Sequence, residues 1–214
     1  MREGVFNSWL YWVSRFGVLT ALKLKYRLHI QGREYIPRKG GAVIVANHSS
    51  YLDPPVMCSC IDSRIVHFMA RDTLFKSRFS RWYFRSVRVI PIDRTRGDLG
   101  ALRQAIATLK EGKVIGLFPE GTRSPDGQMR EAKGGIGFLI AKGSVPVVPI
   151  YIEGTHEAFP KGASKLRSAR LSARVGEPIT PEEIKAAMPK KGDYAAVGAL
   201  VMQRIQELAE APAS

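Results

Sequence analysis

Cysteine is scarce in this chain. Among 214 residues only Cys58 and Cys60 carry a thiol. Two positions apart, they cannot easily pair within one regular element, so no disulfide framework is expected. With no cleavable secretory signal pattern either, a reducing, cytoplasmic setting is expected. Zinc-ligand spacing, a helix-turn-helix signature and an RNA-binding aromatic motif are missing, which removes the usual supports for a nucleic-acid binder. No Gly-x-Ser-x-Gly elbow occurs, as a thioesterase or lipase with a serine nucleophile should show. Internal repeats and low-complexity segments are absent, so the length suits one domain with a sizeable core. A membrane-spanning helix needs about 20 mostly apolar residues; the best candidate, residues 5–22, has Arg15 in its middle.

Acidic residues are also few. Nineteen Asp and Glu face 33 Lys and Arg, a formal net charge of +14 and a pI near 10.1. Such a balance attracts polyanions: nucleic acid, an anionic membrane surface or an acidic substrate. In residues 75–85 basic side chains alternate with Phe75, Phe79, Trp82, Tyr83 and Phe84. That pattern suits lipid headgroups over an apolar layer, and it would also suit stacked bases. The N-terminal stretch is Trp- and Phe-rich, with Asn7, Ser8, Tyr11, Ser14 and Arg15 forming one narrow polar stripe on a helix. We expect residues 1–26 to be an amphipathic helix lying in a membrane interface, with Lys23, Lys25 and Arg27 reaching headgroups. The alternative is packing of that helix on the protein's own sheet.

Beyond it, short β-branched runs alternate with helical patterns, which predicts an α/β fold. Strands are expected over residues 27–31, 41–46, 64–69, 88–92, 114–117, 145–152 and 169–175. Helices are expected from Pro54, over 73–85, over 99–111 with Leu102, Ile106 and Leu109 on one face, over 134–142, from Pro181 and over 194–210. Residues 211–214 form a small terminal tail with no expected order.

Two stretches follow strand candidates directly. Asn47-His48-Ser49-Ser50-Tyr51-Leu52-Asp53 turns from residues 41–46 into the helix at Pro54, with Asp53 as its expected N-cap. A loop can fold Asp53 back onto the His48 ring. A neutral His can take a proton from an alcohol near neutral pH, and a carboxylate on its other nitrogen fixes the tautomer. A turn His beside a capping Asp is the bland alternative. Ser49 and Ser50 are poor candidates for a covalent nucleophile, since a residue adjacent to the base rarely faces its ring. The second stretch is Phe118-Pro119-Glu120-Gly121-Thr122-Arg123-Ser124, after residues 114–117.

Together these stretches resemble the glycerolipid acyltransferase family, in particular bacterial 1-acyl-sn-glycerol-3-phosphate acyltransferases. Asn47, His48, Ser50 and Asp53 match the N-H-x-S-x-x-D block, and Phe118 to Ser124 match F-P-E-G-T-R-S. Ile92-Asp93-Arg94 resembles the end of the second block, and Val145-Pro146-Val147-Val148-Pro149-Ile150 the fourth. The order is the family's, across residues 32–150. The resemblance implies a mixed central sheet flanked by helices, with residues 27–210 as the acyltransferase domain. It implies acyl transfer from acyl-CoA or acyl carrier protein to lysophosphatidic acid, or alternatively to a different lyso-lipid acceptor, with no metal or cofactor, at the cytoplasmic face of a membrane. His48 and Asp53 carry over as base and orienter, and Glu120, Gly121, Thr122 and Arg123 as acceptor-binding residues. Backbone N–H groups around Gly121 are candidate oxyanion donors. Arg94 and Arg71 carry over as phosphate contacts, and Arg71 stands where many members have Lys. Lys133, at a helix start, is a candidate for a donor phosphate. Ser86 to Pro91 lacks the Gly usual in the second block, and the N-terminal region is short for the family.

Overall fold

The computed structural model of the chain describes residues 3–93 and 98–211. Among these residues seven strands form one mixed sheet: β1 His29–Gln31, β2 Ala42–Ala46, β3 Val66–Arg71, β4 Ile90–Ile92, β5 Val114–Leu117, β6 Val147–Glu153 and β7 Ser172–Val175. Their order is β1-β7-β6-β2-β5-β3-β4. All neighbours run parallel except β6 and β7. Every residue of β2 and β5 is buried. Continuous runs such as Val43-Ile44-Val45 are what a parallel strand covered on both faces requires.

Alternate residues of β2 feed two cores, as the period of two in a strand demands. Ile44 and Ala46 pack with Val56, Met57 and Cys60 of α2 (Asp53–Cys60), with Ile61 just after it, and with Leu22 and Tyr26 of α1 (Glu3–Tyr26). Val43 and Val45 pack with α4 (Leu99–Lys110), α5 (Gly134–Gly143), α7 (Pro181–Ala186) and α8 (Tyr194–Glu210). The central β2, β5 and β6 end at the same edge, with Val45 opposite Leu117 and Ala46 opposite Ile150. Loops from three neighbouring strands therefore converge there, where ligands of open α/β sheets gather.

Several elements differ from the pattern read in sequence. Helix α4 turns Ala101, Ala105 and Leu109 to the sheet, while Leu102 and Ile106 sit at the rim. Small residues let the helix approach closely; the larger ones cover the sides. Pro91 is tolerated because β4 is an edge strand bonded only to β3. A short helix, α6 (Thr155–Ala158), follows β6 after Gly154, whose φ of 82° suits a residue without Cβ.

The polar stripe of α1 faces the domain, not solvent. Tyr11 is buried, and its hydroxyl accepts from the Val66 amide at 3.1 Å. Arg15 donates to the Ile61 carbonyl at 2.7 Å and reaches Asp62. The apolar residues Trp9, Phe16 and Leu24 are 60%, 74% and 81% exposed. The helix is thus inverted relative to one that buries its greasy face in its own core. Helix α3 (Arg78–Ser86) lies against α1 and presents exposed Phe79 and Trp82 between Arg78, Arg81 and Arg85. Among the described residues no helix is long and apolar enough to cross a membrane. The side chains of Asn7 and Ser8, and the tail beyond Ala211, lie outside the described residues.

Candidate active site

His48 leaves the end of β2 and Asp53 opens α2. Helix α2 begins at Asp53 itself, with Leu52 at the N-cap, so Asp53 does not cap it. Its carboxylate turns back into the preceding loop. Oδ2 meets His48 Nδ1 at 2.8 Å and accepts from the Ser49 and Ser50 amides at 2.7 Å each. Oδ1 accepts from the Thr155 hydroxyl at 2.5 Å. Asp53 is wholly buried, and these four donors compensate its desolvation. An ionised carboxylate can only accept, so Nδ1 donates to it, and in the neutral ring Nε2 is then the acceptor. The His48 side chain remains 17% exposed, which leaves Nε2 a route to a ligand.

One face of the ring is covered by an aromatic tier. Phe118 stacks on it with centroids 4.1 Å apart, and Phe68 continues the tier at 6.2 Å. The His48 amide donates to Glu120 Oε1 at 2.8 Å, and the His48 carbonyl accepts from Ser124 N at 2.7 Å. The two motifs therefore bind each other through backbone groups that need no particular side chain at position 48. Asn47 makes a similar tie to β6, exchanging two 2.8 Å hydrogen bonds with the Ile152 backbone.

Glu120 is buried, and its carboxylate faces the His48 amide and Arg130. Burial pushes its carboxyl up to about 7; the His48 amide pulls the other way and Asp53 adds to the rise. Gly121 closes a tight turn, donating to the Phe118 carbonyl at 2.9 Å with φ at 67°. Its own amide is thereby committed to the turn. A Cβ there would also stand 2.9 Å from Lys133 Cδ. Lys133 thus lays its methylenes over the turn and caps α5 by backbone alone. Thr122 is half-buried in the same segment.

Arg123 reaches across to the first motif. Its guanidinium carbon lies 3.4 Å from the Tyr51 ring centroid, and its Nη1 is buried without an acceptor. Arg71 ends β3, exposed, one strand beyond β5. Arg94 lies outside the described residues. Both serine hydroxyls have partners other than the His48 ring. Ser50 Oγ donates to Phe159 O at 2.8 Å and accepts from Leu52 N, while Ser49 Oγ lies 3.3 Å from Thr155 Oγ1.

A model of the Acyltransferase family matches residues 27–153. The chain belongs to this family. A 1-acyl-sn-glycerol-3-phosphate acyltransferase of Bacillus subtilis is 30% identical over 190 residues, 87% of this chain and 90% of that protein. A chloroplastic enzyme of the same name from Arabidopsis thaliana is 33% identical over 141 residues, and the match spans 39% of its length. The crystal structure of the 1-acyl-sn-glycerophosphate acyltransferase PlsC from Thermotoga maritima superposes with a TM-score of 0.71 at 27% identity, covering 99% of this chain and 90% of that one. The protein is an acyltransferase with the mixed α/β fold of its relatives.

For this acyltransferase the sequence pointed to the His48–Asp53 pair, but not to Thr155 or Phe118 as its supports, nor to Tyr51 beneath Arg123. Thr155 lies 102 residues from Asp53. The only available hint was Gly154-Thr155 following a strand, a pattern that marks a turn as readily as a site.

Proposed function

We propose that this acyltransferase moves a fatty acyl group from a thioester to the sn-2 hydroxyl of 1-acyl-sn-glycerol-3-phosphate, giving phosphatidic acid. The donor is acyl-CoA or acyl carrier protein. The observation that carries the reading is the convergence of His48, held at Nδ1 by buried Asp53, with an Arg123 whose Nη1 lacks an acceptor. One group is a base for an alcohol; the other is a cation fork for a phosphate. The names of the relatives agree with that acceptor.

In this mechanism Nε2 of His48 removes the hydroxyl proton as the oxygen attacks the thioester carbonyl. Asp53 stabilises the imidazolium that forms. The tetrahedral intermediate collapses, the carbon–sulfur bond breaks, and the imidazolium returns the proton to the departing thiolate. No acyl-enzyme is formed, in keeping with the occupied hydroxyls of Ser49 and Ser50. Arg123 holds the acceptor phosphate, with Arg71 and Arg94 as further phosphate contacts. Lys133 serves the donor phosphate from its place over the Gly121 turn.

The reading is tested by assaying the purified protein on a panel of lyso-lipids and thioester donors. Lysophosphatidic acid should be used at least about tenfold more efficiently than lysophosphatidylcholine or monoacylglycerol, the worth of one charge-assisted contact. Equal use of all three would reject it.

The enzyme works, in this reading, at the cytoplasmic face of a membrane, where free Cys58 and Cys60 stay reduced. Helix α1 lies in the interface through its outward Trp9, Phe16 and Leu24, and α3 adds basic and aromatic side chains beside it. Since Tyr11, Leu22 and Tyr26 pack inward, removing the helix would damage the core, so the outward residues are the ones to change. Replacing Trp9, Phe16 and Leu24 together by Ser should weaken co-sedimentation with anionic vesicles by about tenfold or more. Turnover of acceptor in detergent micelles should persist. Undiminished vesicle binding would move the contact to α3 alone.

A further inference from the structure

Tyr51 stands in the loop between His48 and Asp53 and is 57% exposed, so core packing does not demand an aromatic there. The Arg123 guanidinium carbon is nevertheless 3.4 Å from its ring centroid. At that separation the guanidinium must lie flat on the ring, because an edge-on approach would drive a nitrogen inside van der Waals contact. Stacking engages the face of the cation and leaves the N–H donors in its plane for other partners. One of them, Nη1, is shut away from solvent with no acceptor. A buried donor in that state is costly unless an anion arrives to take it. The platform is itself fixed: Tyr51 leans on Phe159 at 6.2 Å, and neighbouring Ser50 is hydrogen-bonded to the Phe159 carbonyl.

We propose that Tyr51 is a positioning residue for the acceptor: its ring sets the plane of Arg123 so that the in-plane N–H donors of the guanidinium meet the phosphate of the lyso-lipid. The inference rests on the reading that Arg123 receives that phosphate. The ring face does the work, not the hydroxyl. Stacking shapes binding in the ground state and transition state alike, so the effect belongs in KM for the acceptor.

The test is steady-state kinetics on the full-length protein in detergent micelles, with lysophosphatidic acid varied at saturating donor and the reverse. Tyr51→Leu should raise the acceptor KM about fivefold or more, with kcat and donor KM within about twofold. Tyr51→Phe and Tyr51→Trp should keep the parent KM, and the exposed position should leave the thermal midpoint of all three unchanged. In an Arg123→Ala background Tyr51→Leu should add nothing, because the two residues act through one contact. A normal acceptor KM in Tyr51→Leu, an equal loss in Tyr51→Phe, or a further rise in the Arg123→Ala background would each overturn the proposal. If Arg123→Ala raises the acceptor KM and Tyr51→Leu does not, only the role of Tyr51 falls. If Arg123→Ala leaves the acceptor KM unchanged, the phosphate reading falls and this proposal with it.

Discussion

Replacing His48 by Ala should lower acyl transfer by about two orders of magnitude or more in a protein that still folds. The loss is expected because the imidazole is held with one ring nitrogen against a buried carboxylate: Nδ1 is taken by Asp53 at 2.8 Å, and Nε2 is left for the substrate. Folding should survive because the ties between the motif loops run through the backbone. The His48 amide on Glu120 and the His48 carbonyl under Ser124 persist in the variant. Asp53 keeps the Ser49 and Ser50 amides and the Thr155 hydroxyl as partners. The lost stack on Phe118 and one charge-assisted hydrogen bond should cost about 2 kcal/mol of stability, within the range for such contacts. Turnover and thermal unfolding measured on one preparation separate the two effects. Near-normal turnover in the folded variant would rule His48 out as the base.

Arg123→Ala should raise the KM for lysophosphatidic acid by about ten- to a hundredfold, as expected for loss of a charge-assisted phosphate contact, and leave donor KM nearly unchanged. Arg123→Lys should restore only part of the loss. An ammonium keeps the charge but cannot offer the planar fork, nor lie flat on Tyr51 as the guanidinium does at 3.4 Å. Kinetics with each substrate varied in turn decide the matter. Equal losses for donor and acceptor, or none for either, would count against a phosphate role.

The contact of His48 with Asp53 was legible because it is local. Five residues separate His48 from Asp53, a strand precedes them and prolines follow, so a turn that brings the pair together is written in neighbouring positions. The sheet was legible for a similar reason: β2, β5 and β6 are short β-branched runs punctuated by Gly and Pro. Misreadings arose where the deciding partner is remote. Asp53 looked like a helix cap because Pro54 follows it, yet the Thr155 hydroxyl and the loop amides claim its carboxylate. Helix α4 was read by its largest apolar residues, yet close approach to the sheet selects Ala101 and Ala105.

Helix α1 shows the same division most sharply. Its periodicity established a helix with one narrow polar stripe, but periodicity has no sign: it cannot say which face meets protein. That was decided by the Val66 amide and the Ile61 carbonyl, which take Tyr11 and Arg15 and turn the tryptophan side outward. The chain alone therefore determined the order of strands and helices, the paired His48 and Asp53, and the cationic character of the site, all set by near neighbours and composition. Tertiary structure alone decided which buried donors hold Asp53, which ring holds Arg123 and which way α1 faces. Each of those depends on hydrogen bonds and packing between segments tens of residues apart, whose geometry exists only once the sheet has brought them together.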